Sequence, residues 1–330
     1  MQEDNKFDIC INLVVFMDDL INLIVILGPT ASGKTSVAAN LAYKLNTEII
    51  SADSRQVYTE LTIGSGKDYL EYIVNGTKIS YHLIDIASAG TAYNVFEFQH
   101  DFEKAFIDIR SKNMLPILCG GSGLYLDAVI QGYKLIQVPI NDLLRVDLET
   151  KNLDELCNIL AKYRKLHATT DTENKKRTIR AIEIEIYCAE HPDFDFSFPK
   201  ISPLIFGINY DREMRRNRIT ERLKQRLENG LVDEVRSLLN EGITSEQLIY
   251  YGLEYKFLTQ YIIGELSYNE MFIQLNIAIH QFAKRQMTWF RRMESKGIDI
   301  HWIEGQLPLM DKIDVILEKL KLSGVFPAQL

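Results

Sequence analysis

With 330 residues, 46% of them apolar, the chain is long enough for one large domain or two modest ones with packed cores. Its formal net charge of −8 argues against a protein that coats nucleic acid indiscriminately, though not against a local basic cleft. The four cysteines, Cys10, Cys119, Cys157 and Cys188, are spaced for neither a zinc site nor a disulfide framework, which points to a reducing compartment and hence the cytoplasm.

The first stretch is hydrophobic over residues 9–17 and 20–27, but Asn12, Asp18, Asp19 and Asn22 interrupt it and acidic residues lead it. Neither a membrane span nor a signal peptide fits. Residues 1–16 are expected to be a dispensable N-terminal extension. The apolar run Leu23–Ile26 then reads as a buried strand leading into Gly28-Pro29-Thr30-Ala31-Ser32-Gly33-Lys34-Thr35, the G-x-x-x-x-G-K-T pattern of a phosphate-cradling loop. Gly28 and Gly33 let several backbone N–H groups converge on anionic oxygens. A helix over residues 34–45 adds its positive N-terminal end, Lys34 reaches the outer phosphate, and the Thr35 hydroxyl is placed for a magnesium ion. The loop does not say whose phosphate it holds.

A second strand over residues 47–50 runs into Ser51-Ala52-Asp53-Ser54-Arg55-Gln56-Val57-Tyr58. A carboxylate, a hydroxyl and an amide thus gather at the carboxyl end of a strand, where α/β sheets bind ligands. Asp53 or Ser54 capping the next helix is an equal reading. Ile63-Gly64-Ser65-Gly66-Lys67 reads as a flexible loop with one cation, and residues 82–86 as a strand ending near Asp85, either a second magnesium carboxylate or a helix cap. An amphipathic helix follows over residues 96–109, then a buried strand over 115–119 that enters the turn Gly120-Gly121-Ser122-Gly123-Leu124-Tyr125. This alternation predicts an α/β fold, a doubly wound parallel sheet of the P-loop NTPase kind.

From residue 137 to 198 the strand signal lapses. Helices over residues 142–163 and 173–188, then a loop at 191–196, predict an inserted helical domain, flanked by a core of residues 17–136 and 199–330. Within it Lys175, Lys176, Arg177 and Arg180 form a cationic group that reads, by itself, as a solvated face. A strand over 204–208 resumes the sheet. The helix over 212–230 carries Arg215, Arg218, Arg222 and Arg226 in one stripe beside Ile219, Leu223 and Leu227, which suits a wall neutralising phosphate. A long helix over 268–295 sets Met271, Leu275, Phe282, Trp289 and Met293 opposite Lys284, Arg285, Arg291 and Arg292, a face for a nucleic acid backbone. A last strand over 300–303 and a helix over 312–322 complete the chain.

These residues together resemble one family, the tRNA dimethylallyltransferases or tRNA isopentenyltransferases. The matching stretches are Gly28–Thr35 (GPTASGKT), Ser51–Tyr58 (SADSRQVY), His82–Ile86 (HLIDI), Gly120–Tyr125 (GGSGLY), Arg177–Ile182 (RTIRAI) and Ala283–Arg292 (AKRQMTWFRR). The resemblance implies transfer of a dimethylallyl group from dimethylallyl diphosphate to N6 of the adenine at tRNA position 37, just 3′ of the anticodon, by a cytoplasmic monomer using Mg2+. It also implies that the insertion contacts the tRNA anticodon stem-loop.

By the same resemblance Thr30 hydrogen-bonds near the bridging oxygen, Arg222 and Lys34 stabilise the departing diphosphate, and Asp53 is the general base. Asp53, Ser54, Arg55 and Gln56 contact the extruded base and its neighbours. Ser122, Arg145, the run Lys176, Arg177, Thr178, Ile179 and Arg180, and Lys284 with Arg285 contact RNA. The chemistry agrees, because the leaving group gains charge that cations stabilise, and a delocalised amine needs a carboxylate to accept its proton. Better-known family members carry basic residues around the glycine of Tyr250-Tyr251-Gly252-Leu253-Glu254-Tyr255-Lys256, whereas here Glu254 and tyrosines surround it. That departure leaves RNA contact there open: Tyr250, Tyr251 and Tyr255 read first as core packing and second as platforms for base stacking. Three rival readings share the loop: a small-molecule kinase using ATP, prenyl transfer to free adenine nucleotides, and a non-catalytic tRNA-binding protein.

Overall fold

The computed structural model describes residues 21–166, 174–192 and 197–324. The expected extension at residues 1–16, Cys10 and most of the loop read at 191–196 lie outside them. Strand β1, Leu23–Leu27, has every residue buried, so both faces of the sheet it belongs to are covered. Helix α1, Lys34–Leu45, follows, then β2, Ile49–Ala52, the short hairpin of β3, Ile73–Val74, with β4, Thr77–Lys78, and β5, Tyr81–His82. Helix α2, Val95–Ser111, opens on a capping box made by Asn94 and Glu97, and leads to β6, Ile117–Gly120, and α3, Gly123–Ile130.

Three helices come next: α4, Asp142–Glu149, α5, Leu153–Leu160, and α6, Lys175–Glu190. Strand β7, Pro203–Asn209, returns to the sheet. The remaining elements are α7, Arg212–Glu228, α8, Leu231–Asn240, α9, Ser245–Tyr250, α10, Leu253–Ile262, α11, Tyr268–Ser295, β8, His301–Glu304, and α12, Leu309–Leu322.

Among the described residues the main sheet has the order β5-β2-β6-β1-β7-β8, and every pairing is parallel. The reversal of direction at β1, with β6 on one side and β7 on the other, opens a crevice beyond the strand ends, where such sheets bind ligands. On one face Ile24 and Ile26 pack with Val37, Leu41, Ile117, Phe206, Ile313 and Ile316, so α1 and α12 cover it. A separate core, built from α7 to α11 with Val57, Tyr58 and Leu61, joins the helices after β7. By compactness the chain divides into residues up to Tyr133 with those from Pro199, and a second unit, Lys134–Phe198, where the insertion was expected from residue 137. That unit has its own core of Leu148, Leu156, Leu160, Ile179 and Ile182.

Several predicted elements are corrected. The strand expected at residues 82–86 stops at His82, because Leu83 (φ 61°) and Asp85 (φ 58°) turn into the left-handed region. The helix expected over 142–163 breaks in two, because Asn152 and Glu155 form a capping box that starts a new helix. On α11 the buried stripe is Met271, Leu275, Ile279, Ala283, Gln286, Met287, Phe290 and Met293. Phe282 is instead 38% exposed and lines a cavity, while its neighbour Ala283 is buried and Gln286 bonds the Gly121 carbonyl. No described helix is long and apolar enough to cross a membrane.

Candidate active site

The loop after β1 bends as its glycines demand. A Cβ on Gly28 would lie 2.6 Å from Ser32 Oγ and 2.7 Å from Ile208 O, so no larger residue fits, and Gly33 has φ +75° at the entry to α1. Thr30, Ala31, Ser32, Gly33, Lys34 and Thr35 line a cavity of about 830 Å³, while Gly28 and Pro29 are buried outside its lining. The Ser32 hydroxyl is 2% exposed and has no hydrogen-bond partner among the described residues.

Two distant helices hold this loop. Arg222 of α7 donates from Nη2 to Thr30 Oγ1 at 2.6 Å, and Arg218 donates from Nε to Ala31 O at 3.0 Å while its guanidinium lies over the Tyr210 ring. Gln286 of α11 accepts the Thr30 N–H at 2.8 Å and donates to Gly121 O at 2.8 Å, joining the phosphate loop to the turn after β6. Gln286 was not among the expected site residues. Its signal was a polar residue on an otherwise apolar stripe, legible only once the stripe's true phase is known. The arginine stripe divides: Arg218, Arg222 and Arg226 line the cavity, and Arg215 donates to Asn209 Oδ1 at 3.0 Å instead.

The end of β2 forms another wall. Asp53 Oδ1 accepts the Arg55 N–H at 2.9 Å, and Ser122 Oγ accepts the Ser54 N–H at 3.1 Å. Gln56 accepts from Ser51 Oγ at 3.0 Å and donates to Gly66 O at 3.1 Å. Asp53, Ser54, Arg55, Gln56, Ser122 and Arg285 therefore face one cavity with the loop. Lys284, one residue away, is exposed and outside its lining.

The electrostatics suit an anion. Burial pushes the Lys34 ammonium below its ordinary range, with Arg222 adding to that and the Asp53 carboxylate pulling the other way. Burial and the neighbouring Arg226 likewise lower Arg222, which nevertheless stays protonated as guanidinium groups do. Lys34, Arg218, Arg222 and Arg226 thus gather at the loop's cavity, and Arg226 also lies 3.7 Å from Glu254. The Thr35 hydroxyl is an oxygen donor of the kind magnesium takes, so the loop fits that ion.

Asp85, one candidate for a magnesium carboxylate, does not reach the cavity lining. It holds Lys67 Nζ at 2.5 Å and Tyr69 Oη at 2.8 Å, and Lys67 is 5% exposed rather than on a free loop. Of the tyrosines after α9, Tyr251 and Tyr255 are buried, as core packing requires, while Tyr250 is 58% exposed beneath the Arg55 guanidinium.

The predicted RNA contacts of the insertion form a group of their own. Lys176 and Arg177 are exposed, but Thr178 (0%) and Ile179 (3%) turn their side chains into the insertion core. Arg145 and Arg180 both bind the buried Glu183 carboxylate, Arg145 through Nη2 at 2.8 Å, and Arg180 also donates to Val138 O at 2.7 Å. Burial alone would raise Glu183, but these bonds and the Asn141 N–H hold it below the usual carboxylate range.

Known proteins carry the same pattern. A family described as IPP transferase matches residues 56–293, and one described as isopentenyl transferase matches residues 21–85. The chain is 58% identical over 300 residues to tRNA dimethylallyltransferase 2 of Bacteroides fragilis, covering 91% of this chain and 98% of that one. It is 59% identical to the protein of the same name from Phocaeicola vulgatus, over 91% and 97% of the two chains. The crystal structure of a tRNA isopentenylpyrophosphate transferase from Bacillus halodurans superposes with a TM-score of 0.67 at 30% identity, over 92% of this chain and 98% of that one. A eukaryotic dimethylallyltransferase acting on tRNA shares the fold, with a TM-score of 0.75 at 22% identity over 94% and 81%.

Proposed function

Because the chain belongs to the tRNA dimethylallyltransferase family, we propose that it moves a dimethylallyl group from dimethylallyl diphosphate to N6 of the adenine at tRNA position 37. The products are N6-isopentenyladenosine and diphosphate. What carries this reading is that the phosphate loop and Asp53 open into the same cavity, so both halves of a group transfer have a place to meet.

The diphosphate lies in the loop, against Lys34, Arg222 and the backbone N–H groups, with its bridging oxygen near Thr30. As the allylic carbon–oxygen bond breaks, these cations and donors take up the charge that develops on the leaving oxygen. The new bond forms between that carbon and N6, and the surplus N6 proton passes to the Asp53 carboxylate. Arg222 acts through position as well as charge, because it holds the Thr30 hydroxyl. Magnesium held at Thr35 would supply further neutralisation of the diphosphate.

The adenine must leave its stack to reach this cavity, at a cost of a few kcal/mol. Ser54, Arg55, Gln56, Ser122 and Arg285 receive it and its neighbours, and Lys176, Arg177, Lys284 and the free edges of Arg145 and Arg180 hold phosphates of the anticodon stem-loop. The enzyme works in the cytoplasm as a monomer. The test is purified protein with labelled dimethylallyl diphosphate and unmodified tRNA. Label entering the tRNA is the expected result, whereas label entering AMP or ATP, or phosphate leaving ATP, overturns the reading.

A further inference from the structure

In phosphate-loop proteins the loop hydroxyl commonly shares its divalent cation with a carboxylate from a neighbouring strand end. Here β6, beside β1, ends at Gly120 and continues into Gly121 and Ser122, so it offers no acid. Asp53, at the end of β2, accepts the Arg55 N–H and is the group assigned above to the N6 proton. The other acids lining the cavity are Asp68, Glu71, Glu221 and Glu254, and of these Asp68 precedes and Glu71 lies within the turn Tyr69–Tyr72, which packs against α1 where the loop ends. Glu71 is half-buried, the turn that carries it packs against α1, and its side chain shares the cavity lining with Thr35, Lys34 and Arg222.

A second observation points to what lies between them. The buried Ser32 hydroxyl, in the loop that lines the same cavity, has no hydrogen-bond partner among the described residues, and the loop amides beside it are donors of the kind an anion takes. A diphosphate placed there would share the cavity with two carboxylates, and like charges repel. One cation between them turns that repulsion into two attractions.

We propose that Glu71, supported by Asp68, forms the carboxylate side of a divalent-cation site whose other sides are the Thr35 hydroxyl and the bound diphosphate. The inference rests on the diphosphate reading of the cleft. All its donors are oxygens, the set that magnesium and manganese prefer. It makes diphosphate binding depend on the metal, and Glu71 the residue through which that dependence acts.

The experiment titrates the full chain with Mn2+ in the presence of inorganic diphosphate and reads free Mn2+ by its electron paramagnetic resonance signal. One Mn2+ per chain is expected, bound about tenfold or more weakly in Glu71→Gln, the scale for losing a group that shapes a metal site. The exposed Asp68→Asn, which puts less at risk in folding, is expected to weaken Mn2+ by a smaller factor. Unchanged Mn2+ affinity in both variants overturns the proposal. So does a Glu71→Gln protein that only binds metal-free diphosphate more tightly, since Glu71 would then be a repelling wall. If wild-type protein fails to prenylate tRNA while Glu71→Gln still loses Mn2+, the cation site stands and the tRNA reading falls.

Discussion

Asp53 and Arg222 line one cavity and stand at opposite halves of the proposed transfer, so removing either should damage turnover more than stability. Asp53→Ala and Arg222→Ala are each expected to lower prenyl transfer by about two orders of magnitude with unfolding temperature nearly unchanged, the scale for losing a base or a charge stabiliser. Single-turnover transfer and a thermal melt check it. Lys34 predicts a pH effect. Its value in the folded, ligand-free protein lies below the ordinary 10.5, chiefly through burial, so the unfolded chain binds the proton more readily. The penalty is absent above about 10.5 and complete below the depressed value, and stability of the ligand-free protein should rise with pH across that window. Lys34→Met should flatten this rise in urea unfolding and abolish the stabilisation that diphosphate confers on the wild type. The loop and the arginine stripe were legible from spacing, whereas Asp53 read equally as a helix cap and was singled out only by the family resemblance. Gln286 and Glu71 were not legible, because their meaning lies in partners on other elements, 256 residues away in the case of Gln286 with Thr30.

Helix α6 is tied to the start of α4 through one carboxylate. Glu183, 2% exposed, takes the Asn141 N–H and the guanidinia of Arg145 and Arg180. Glu183→Gln should cost the insertion about 2 kcal/mol, less than the roughly 3–5 kcal/mol of removing one partner of a fully buried pair, because both guanidinia keep about a third of their surface in water. Hydrogen exchange along α6 reads this directly. Since the folded value of Glu183 is depressed, its contribution is present above the ordinary 4.5 and lost as pH falls through the lower folded value, so the wild-type insertion should loosen first in acid. At this scale the sequence marked where the helices are better than where they break. Glu149, Thr150, Lys151 and Asn152 are polar throughout, and the reciprocal bonds of Asn152 and Glu155 within and after that run divide α4 from α5. On α11 Met271, Leu275 and Met293 are buried as expected, but Ala283 and Gln286 take the buried places beside the backbone that Phe282 was expected to fill.

A chain with net charge −8 that binds a polyanion must gather its cations locally. tRNA affinity should therefore fall steeply with salt, and Arg177→Ala, which removes an exposed guanidinium, should weaken tRNA binding and make the salt slope shallower by about one phosphate contact. Diphosphate affinity should stay as it was, and filter binding at several salt concentrations beside calorimetry with diphosphate measures both. Parallel-sheet architecture and the presence of an insertion were legible at this scale from strand–helix alternation, but strand order was not, since β1 meets β6 and β7 from remote parts of the chain. The bonds that moor the phosphate loop have a consequence for the order of synthesis. Thr30 waits for Arg222, 192 residues later, and then for Gln286. At about 5–20 residues per second, roughly 13–50 seconds separate translation of the cradle from translation of its last anchor. A nascent chain still on the ribosome thus carries the complete loop motif without the ability to grip its ligand.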